Sequence, residues 1–173
     1  MSNTDKVIQL QNFDIEIMPD GRWFHEGGEI KRLNLVKLFA SVLSCDEAGR
    51  YWLTTPVEKG EITVHDAPFV IQSLRYEGRG RDQVIYLTDN LGETYKLGAD
   101  YPLSMRMQPK GDDKPYLLLP KGLCALIKHA VFYEMIDLAL AQMEGEVPEG
   151  SEEAVRLYSD GVAFALQAEA AKT

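Results

Sequence analysis

Residues 13–18, Phe-Asp-Ile-Glu-Ile-Met, alternate apolar and acidic side chains, so that Phe13, Ile15 and Ile17 share one face and Asp14 and Glu16 the other. A period of two predicts a half-buried strand. Pro-Asp-Gly follows as a turn and Arg-Trp-Phe-His resumes the strand, so 13–26 reads as a hairpin. The period then changes. Leu35, Leu38, Phe39 and Val42 stand at i, i+3, i+4 and i+7, which predicts an amphipathic helix opening at Asn34 with these four on its core face. Cys-Asp-Glu-Ala-Gly-Arg ends it, and residues 51–64 supply two more strands around a bend at Gly60.

The second half repeats this order. Residues 83–98 read as a hairpin about Asp89–Gly92, with further strands in 101–108 and 114–119. A helix is expected from about 122 to 142, apolar almost all round and so central and buried. Hairpin then helix, twice, suggests a structural duplication. Residues 144–150 have the composition of a linker. Beyond it Ser151 is suited to cap a helix that starts with Glu152 and Glu153 and carries Val155, Tyr158, Val162 and Ala165 as a stripe. The expected fold is α+β: two similar small subdomains of antiparallel strands plus one helix each, over 12–78 and 79–143. An appended C-terminal helix spans 148–170.

Composition narrows the function. Apolar residues at 45% and charged residues at 26% describe an ordinary soluble globular chain. The net charge of −9 is uneven: residues 1–133 hold 18 acids and 16 bases, residues 134–173 nine acids and two bases. Such a chain lacks the basic surface that sequence-independent nucleic-acid binding needs. Cys45 and Cys124 each sit in an apolar segment, as buried thiols do, and no metal-ligand or disulfide spacing accompanies them. The first residues lack the apolar core of a signal peptide, and the apolar region near 123–143 is broken by Lys128, His129, Glu134 and Asp137. A cytoplasmic location is expected, with neither nucleic acid nor membrane as partner.

Catalytic templates are missing. No G-x-S-x-G occurs, and His25, His65 and His129 form no metal-binding pair. Glu-Gly-Arg-Gly-Arg (77–81) lacks the length and ending of a phosphate loop and reads as a charged hairpin tip. One local rule is broken twice. Lys31 and Arg32 precede the first expected helix and Lys121 the second, where the macrodipole disfavours cations. A helix start beside a basic side chain suits a carboxylate or phosphate. Solvation, or pairing with Glu26, Glu29 or Glu58, accounts for these cations without a ligand. In Thr-Pro-Val-Glu-Lys-Gly-Glu-Ile-Thr-Val-His-Asp-Ala-Pro-Phe-Val (55–70), His65 should be exposed and Asp66 a turn residue. Glu58, near a strand end, is placed to pair with Arg32 or to accept from a ligand hydroxyl.

Residues 20–43, 49–69 and 115–135 together resemble the bacterial domain-of-unknown-function family 1285. The resemblance covers about residues 12–142. It implies a duplicated core whose C-terminal half is loosely similar to pleckstrin-homology folds, a candidate ligand site at the interface of the halves, and a signalling role; no enzymatic activity is established for the family. Its motif positions here are Trp23, His25, Arg32, Tyr51, Thr55, Pro56, Glu58, Asp66, Pro68, Phe69, Pro115 and Tyr116. Lys121 stands where the family pattern has an arginine, which keeps the charge and loses the bidentate fork. The expected function is a non-enzymatic sensing module, without cofactor or metal, for a small anionic, nucleotide-like ligand. In it Arg32 and Lys121 neutralise the anion, Trp23 or Phe69 stacks on a ring, and Glu58 accepts, with His25 and Asp66 completing the set. The alternative is a protein-interaction adaptor that uses the second half and the C-terminal helix.

Overall fold

A computed structural model of the chain describes residues 9–143 and 155–167. The chain divides into two units: the first runs to Pro68 and takes in the segment Pro120–Leu123, and the second holds Phe69–Leu119 and everything from Cys124 on.

The alternating stretch at residue 13 lies in β1 (Gln9–Ile17), which turns through Met18–Arg22 into β2 (Trp23–His25) and then β3 (Gly28–Glu29). The helix α1 (Leu33–Ser41) follows. Next come β4 (Leu43–Cys45), β5 (Tyr51–Thr54) and β6 (Glu58–Val64). These six strands form one sheet in the order β3-β2-β1-β6-β5-β4. All its neighbours are antiparallel except the central pair β1 and β6. Ile15, Ile17, Trp23, Leu43, Leu53 and Ile62 bury their side chains in this unit.

The second unit begins with β7 (Phe69–Glu77), β8 (Val84–Asp89) and β9 (Thr94–Lys96). After them come β10 (Leu103–Arg106), β11 (Lys114–Leu118) and β12 (Cys124–Ile127). Its order is β10-β11-β12-β7-β8-β9, again with only the central pair, β12 and β7, parallel. Adding six to each strand number of the first sheet reproduces the second. The duplication is therefore real and extends over whole sheets. Its boundary falls at Pro68 and Phe69 rather than near 79, because β7 is the central strand of the second sheet and not the last of the first.

The helices do not share the repeat. α1 joins β3 to β4, whereas α2 (His129–Met143) follows β12. The corresponding place in the second unit, between β9 and β10, holds no helix. Residues 122–127 were expected to begin the second helix. They are strand instead: Cys124, Ala125 and Ile127 are all buried because β12 pairs at the middle of its sheet. A strand covered on both faces loses its alternation and resembles the start of an apolar helix.

The C-terminal helix is also corrected. β13 (Arg156–Ser159) and β14 (Val162–Ala165) form a hairpin, with Asp160 and Gly161 at φ 50 and 76 between them. Asp-Gly is the strongest signal for a two-residue turn with both φ positive, and it overrides the helical spacing. Leu157 and Phe164 are buried, and the Ser159 hydroxyl accepts from Ile85 N at 2.9 Å and donates to Leu97 O at 2.6 Å. Gln142 of α2 holds Tyr158 through its backbone N–H and carbonyl. The hairpin belongs to the body of the second unit. The expected linker at 144–150 and the Ser151 cap lie outside the described residues.

Two hairpins share one local design. Asp46 accepts from the N–H of Ala48, the N–H of Arg50 and the indole N–H of Trp52. Asp89 accepts from the N–H of Leu91, the N–H of Glu93 and the hydroxyl of Tyr95. Gly49 and Gly92 take φ 81 and 89 at the same place, the left-handed bulge that closes such a turn. The pattern is aspartate, glycine three residues on, and an aromatic donor three beyond that.

The bend expected at Gly60 lies elsewhere. Thr55–Glu58 makes the turn, with Pro56 second and the Thr55 hydroxyl accepting from Glu58 N. Gly60 is inside β6, where a Cβ would fall 2.1 Å from the Phe13 ring. The glycine makes room for an aromatic lid.

Candidate functional site

α1 is nine residues long and apolar around more than half its girth, through Leu33, Leu35, Val36, Leu38, Phe39 and Ala40. Such a helix offers two alternative apolar stripes, and only one meets the sheet. Val36 is its buried residue, and Phe39 stacks on Trp23 with ring centroids 6.3 Å apart and planes at 20°. Leu38, about 160° around the helix from Val36 at 100° per residue, points outward. Leu38 is 61% exposed and Leu35, at the flank about 40° from Phe39, is 37% exposed, so of the four residues expected on the core face one lies opposite it and one at its edge. The Trp23 ring decides the matter: docking Phe39 on it turns Leu38 away and leaves Leu35 at the edge of the contact.

Both ends of α1 carry charge. Arg32 occupies the N-cap position with extended backbone, and its carbonyl receives Leu35 N and Val36 N. No side chain caps the first turn and no acid lies in it. Lys31, Arg32 and Lys37 are exposed, and no acid occurs between Ile30 and Cys45. At the other end Ser41 Oγ donates to Leu38 O, and Lys121 Nζ donates to Ser41 O at 3.2 Å. A cation there completes the last turn where the dipole is negative. Lys121 has φ 63, and the adjoining Gly122 has no room for a Cβ, which would meet Cys45 O at 2.7 Å. The turn is held by Cys45 N donating to Lys121 O.

This geometry relocates several expected site residues. Arg32 and Lys121 do not flank two helix starts: they stand at opposite ends of one helix, about 13 Å long at 1.5 Å per residue. Trp23 is 1% exposed beneath Phe39 and Phe69 is buried in β7, so neither offers a face to a ligand ring. His25 ends β2, exposed, with Nε2 3.9 Å from Glu26. Glu58 is exposed at the start of β6 and makes no ion pair with Arg32 among the described residues. Asp66 is half-buried in the bend after β6. What the structure brings together is Trp23 with α1, and Arg32 and Lys121 with its two ends.

The feature that spacing missed is the outward leucine pair. Its signal was present: an apolar arc too wide for one sheet contact. A second is Trp52, whose ring lies 4.8 Å from Lys59 Nζ and 5.4 Å from the Arg50 guanidinium. The hydrogen bond from Trp52, with those from the backbone, holds the Asp46 carboxyl below its usual range. Asp89, in the same turn design but buried, is pushed up by desolvation against the pull of the same kinds of donor. Among the described residues no group of three His, Cys, Asp or Glu side chains converges as a metal site. No helix among them is long and apolar enough to cross a membrane.

Comparison with known proteins agrees with the two-unit division. The model of the DUF1285 N-terminal domain, a domain of unknown function, matches residues 8–67, and that of the DUF1285 C-terminal domain matches residues 68–166. The crystal structure of a DUF1285 family protein from Silicibacter pomeroyi DSS-3 is 37% identical over 93% of this chain and 84% of its own, with a TM-score of 0.79. Another, from Shewanella baltica OS155, is 27% identical over 72% of this chain and 91% of its own, with a TM-score of 0.58. No curated protein matches. With both family models matched in sequence and their junction at the break between the two sheets, the chain belongs to the DUF1285 family.

Proposed function

We propose that the chain is a non-enzymatic regulatory module that recognises an anionic group at the first turn of α1. One observation carries this reading. The first-turn amides of α1 have no side-chain cap and no acid beside them, yet the cations Lys31 and Arg32 stand there exposed. Exposed cations at a helix start are disfavoured by about 0.3–1 kcal/mol, and an anion bound there offsets that term. The anion is a carboxylate or a phosphate, including that of a nucleotide-like ligand, and binding would serve signalling rather than turnover. Lys121 leaves the expected ligand set, since its ammonium completes the other end of the helix.

A titration of the full chain, labelled with nitrogen-15, with pyrophosphate and with AMP tests the reading. Amide resonances of Leu33, Asn34 and Leu35 should shift with saturation, and Lys31→Ala/Arg32→Ala should abolish the shifts. Shifts confined to other residues, or none, would contradict it.

The adaptor reading is favoured by a separate observation, the exposed Leu35 and Leu38 on the same helix. Of the two elements expected to serve an adaptor, the second half and an appended C-terminal helix, the helix is replaced by the docked β13–β14 hairpin.

A further inference from the structure

We infer that α1 is a docking helix for a protein segment, and that its partner is a short amphipathic helix with leucine-like anchors flanked by acids. The inference rests on the reading above and names who presents the anion. Leu35 and Leu38 are neighbours on the helix surface, three residues apart, and Leu38 is directly opposite the buried Val36. The segment 31–44 that carries the pair holds cations and no acid. Lys31 and Arg32 lie at the N-terminal end and Lys37 on one flank, all exposed. An apolar centre flanked by cations fits a helix-on-helix contact in which an apolar stripe meets the leucines and acids meet the cations.

Charge separates this occupant from the alternatives. A second copy of α1 would set the same cations against themselves, which opposes pairing of like faces. A lipid surface would accept the cations, but the outward face offers two leucines on a nine-residue helix. Interfacial helices need a broader apolar face than that. An acidic protein segment uses both the leucines and the cations without penalty.

The test is selection of a displayed random 12-residue peptide library on the full-length protein, with counter-selection on Leu38→Asp. The expected binders carry leucine, isoleucine or phenylalanine at i, i+3 or i+4 and an excess of acids. Their affinity should fall at least tenfold on Leu38→Asp and at least threefold on Lys37→Glu. Circular dichroism and the Ile17 and Leu53 amide signals of the first unit should show both variants folded, as expected for exposed sites. Vesicles of phosphatidylglycerol and sedimentation of the free protein run alongside. Binders rich in lysine or arginine, binders indifferent to Leu38→Asp, or no binders would overturn the inference. So would vesicle binding, or self-association, that Leu38→Asp abolishes. If pyrophosphate still shifts the α1 amides while the library fails, only this inference falls; if the shifts fail too, the functional reading falls with it.

Discussion

Lys121 Nζ donates to the carbonyl oxygen of Ser41, 3.2 Å away, and so closes the negative end of α1 from a point 80 residues further along the chain. Arg32 stands at the positive end of the same helix without a counter-charge in its first turn. One helix thus has one favourable and one unfavourable terminal cation. Lys121→Ala should lower stability by about 0.3–1 kcal/mol, the usual size of an exposed charge–dipole term. Arg32→Ala should be neutral or stabilise by an amount in the same range. Urea denaturation of the two variants checks the opposite signs; equal losses would mean that both cations act structurally.

Gly60 and Phe13 make a steric pair. A Cβ at residue 60 would lie 2.1 Å from the ring, inside its van der Waals surface. Gly60→Ala should cost about 1–3 kcal/mol, as over-packing does. Phe13→Ala in the same chain should recover part of that loss, so the two changes are non-additive in a double-mutant cycle by chemical denaturation.

The two matched turns should respond to pH with opposite signs. Burial raises the folded-state value of Asp89 above 3.8, so its contribution is fully present below 3.8 and is lost as pH rises through the raised value. Asp46 is lowered, chiefly by the Trp52 indole, so its contribution is present above 3.8 and is lost as pH falls through the lowered value. Asp89→Asn keeps an oxygen for the amides of Leu91 and Glu93. Relative to the parent, Asp89→Asn should gain stability as pH rises from 3 to 7, while Asp46→Asn should lose it. Thermal melts across that range decide. Parallel pH trends for the two variants would contradict the assignment.

Ser159 tests the corrected C-terminus. Its hydroxyl satisfies Ile85 N and Leu97 O, and the residue is fully buried. Ser159→Ala leaves both unpaired and should cost about 1–3 kcal/mol. Deletion of residues 155–173 should lower the melting temperature further, since it also removes the buried Leu157 and Phe164 and exposes the apolar surface they cover. A truncation that melts like the full chain would restore the idea of a dispensable appendage.

The sequence revealed most where a signal was both local and unambiguous. Phe13, Ile15 and Ile17 gave β1 by alternation, and Asp89–Gly92 gave the β8–β9 hairpin by turn chemistry. The duplication was legible as an order of elements, although its frame was shifted. β7 and β12, paired at the centre of the second sheet, are distant in sequence and carry no local mark of partnership. Cys124–Ile127 shows the cost of that: a strand buried on both faces has no period to read. At residues 156–165 helical spacing and an Asp-Gly turn competed, and the turn prevailed because the hairpin buries Leu157 and Phe164 while pairing its own backbone. For the site, Arg32 was legible as a misplaced cation. The side of α1 on which Leu38 falls was not, because the docking of Phe39 on Trp23 selects it.

That selection is the hinge of the account, and carbene footprinting of the free full-length chain tests it most directly. A photoactivated diazirine probe labels exposed aliphatic side chains irrespective of charge. If Phe39 seats on Trp23 and leaves the outer stripe open, Leu38 should be labelled several-fold more than Val36, with Leu35 between them and Trp23 unlabelled. Leu38 protected to the same extent as Val36 would mean that the outer face is already covered in the free chain, contradicting a docking role for α1.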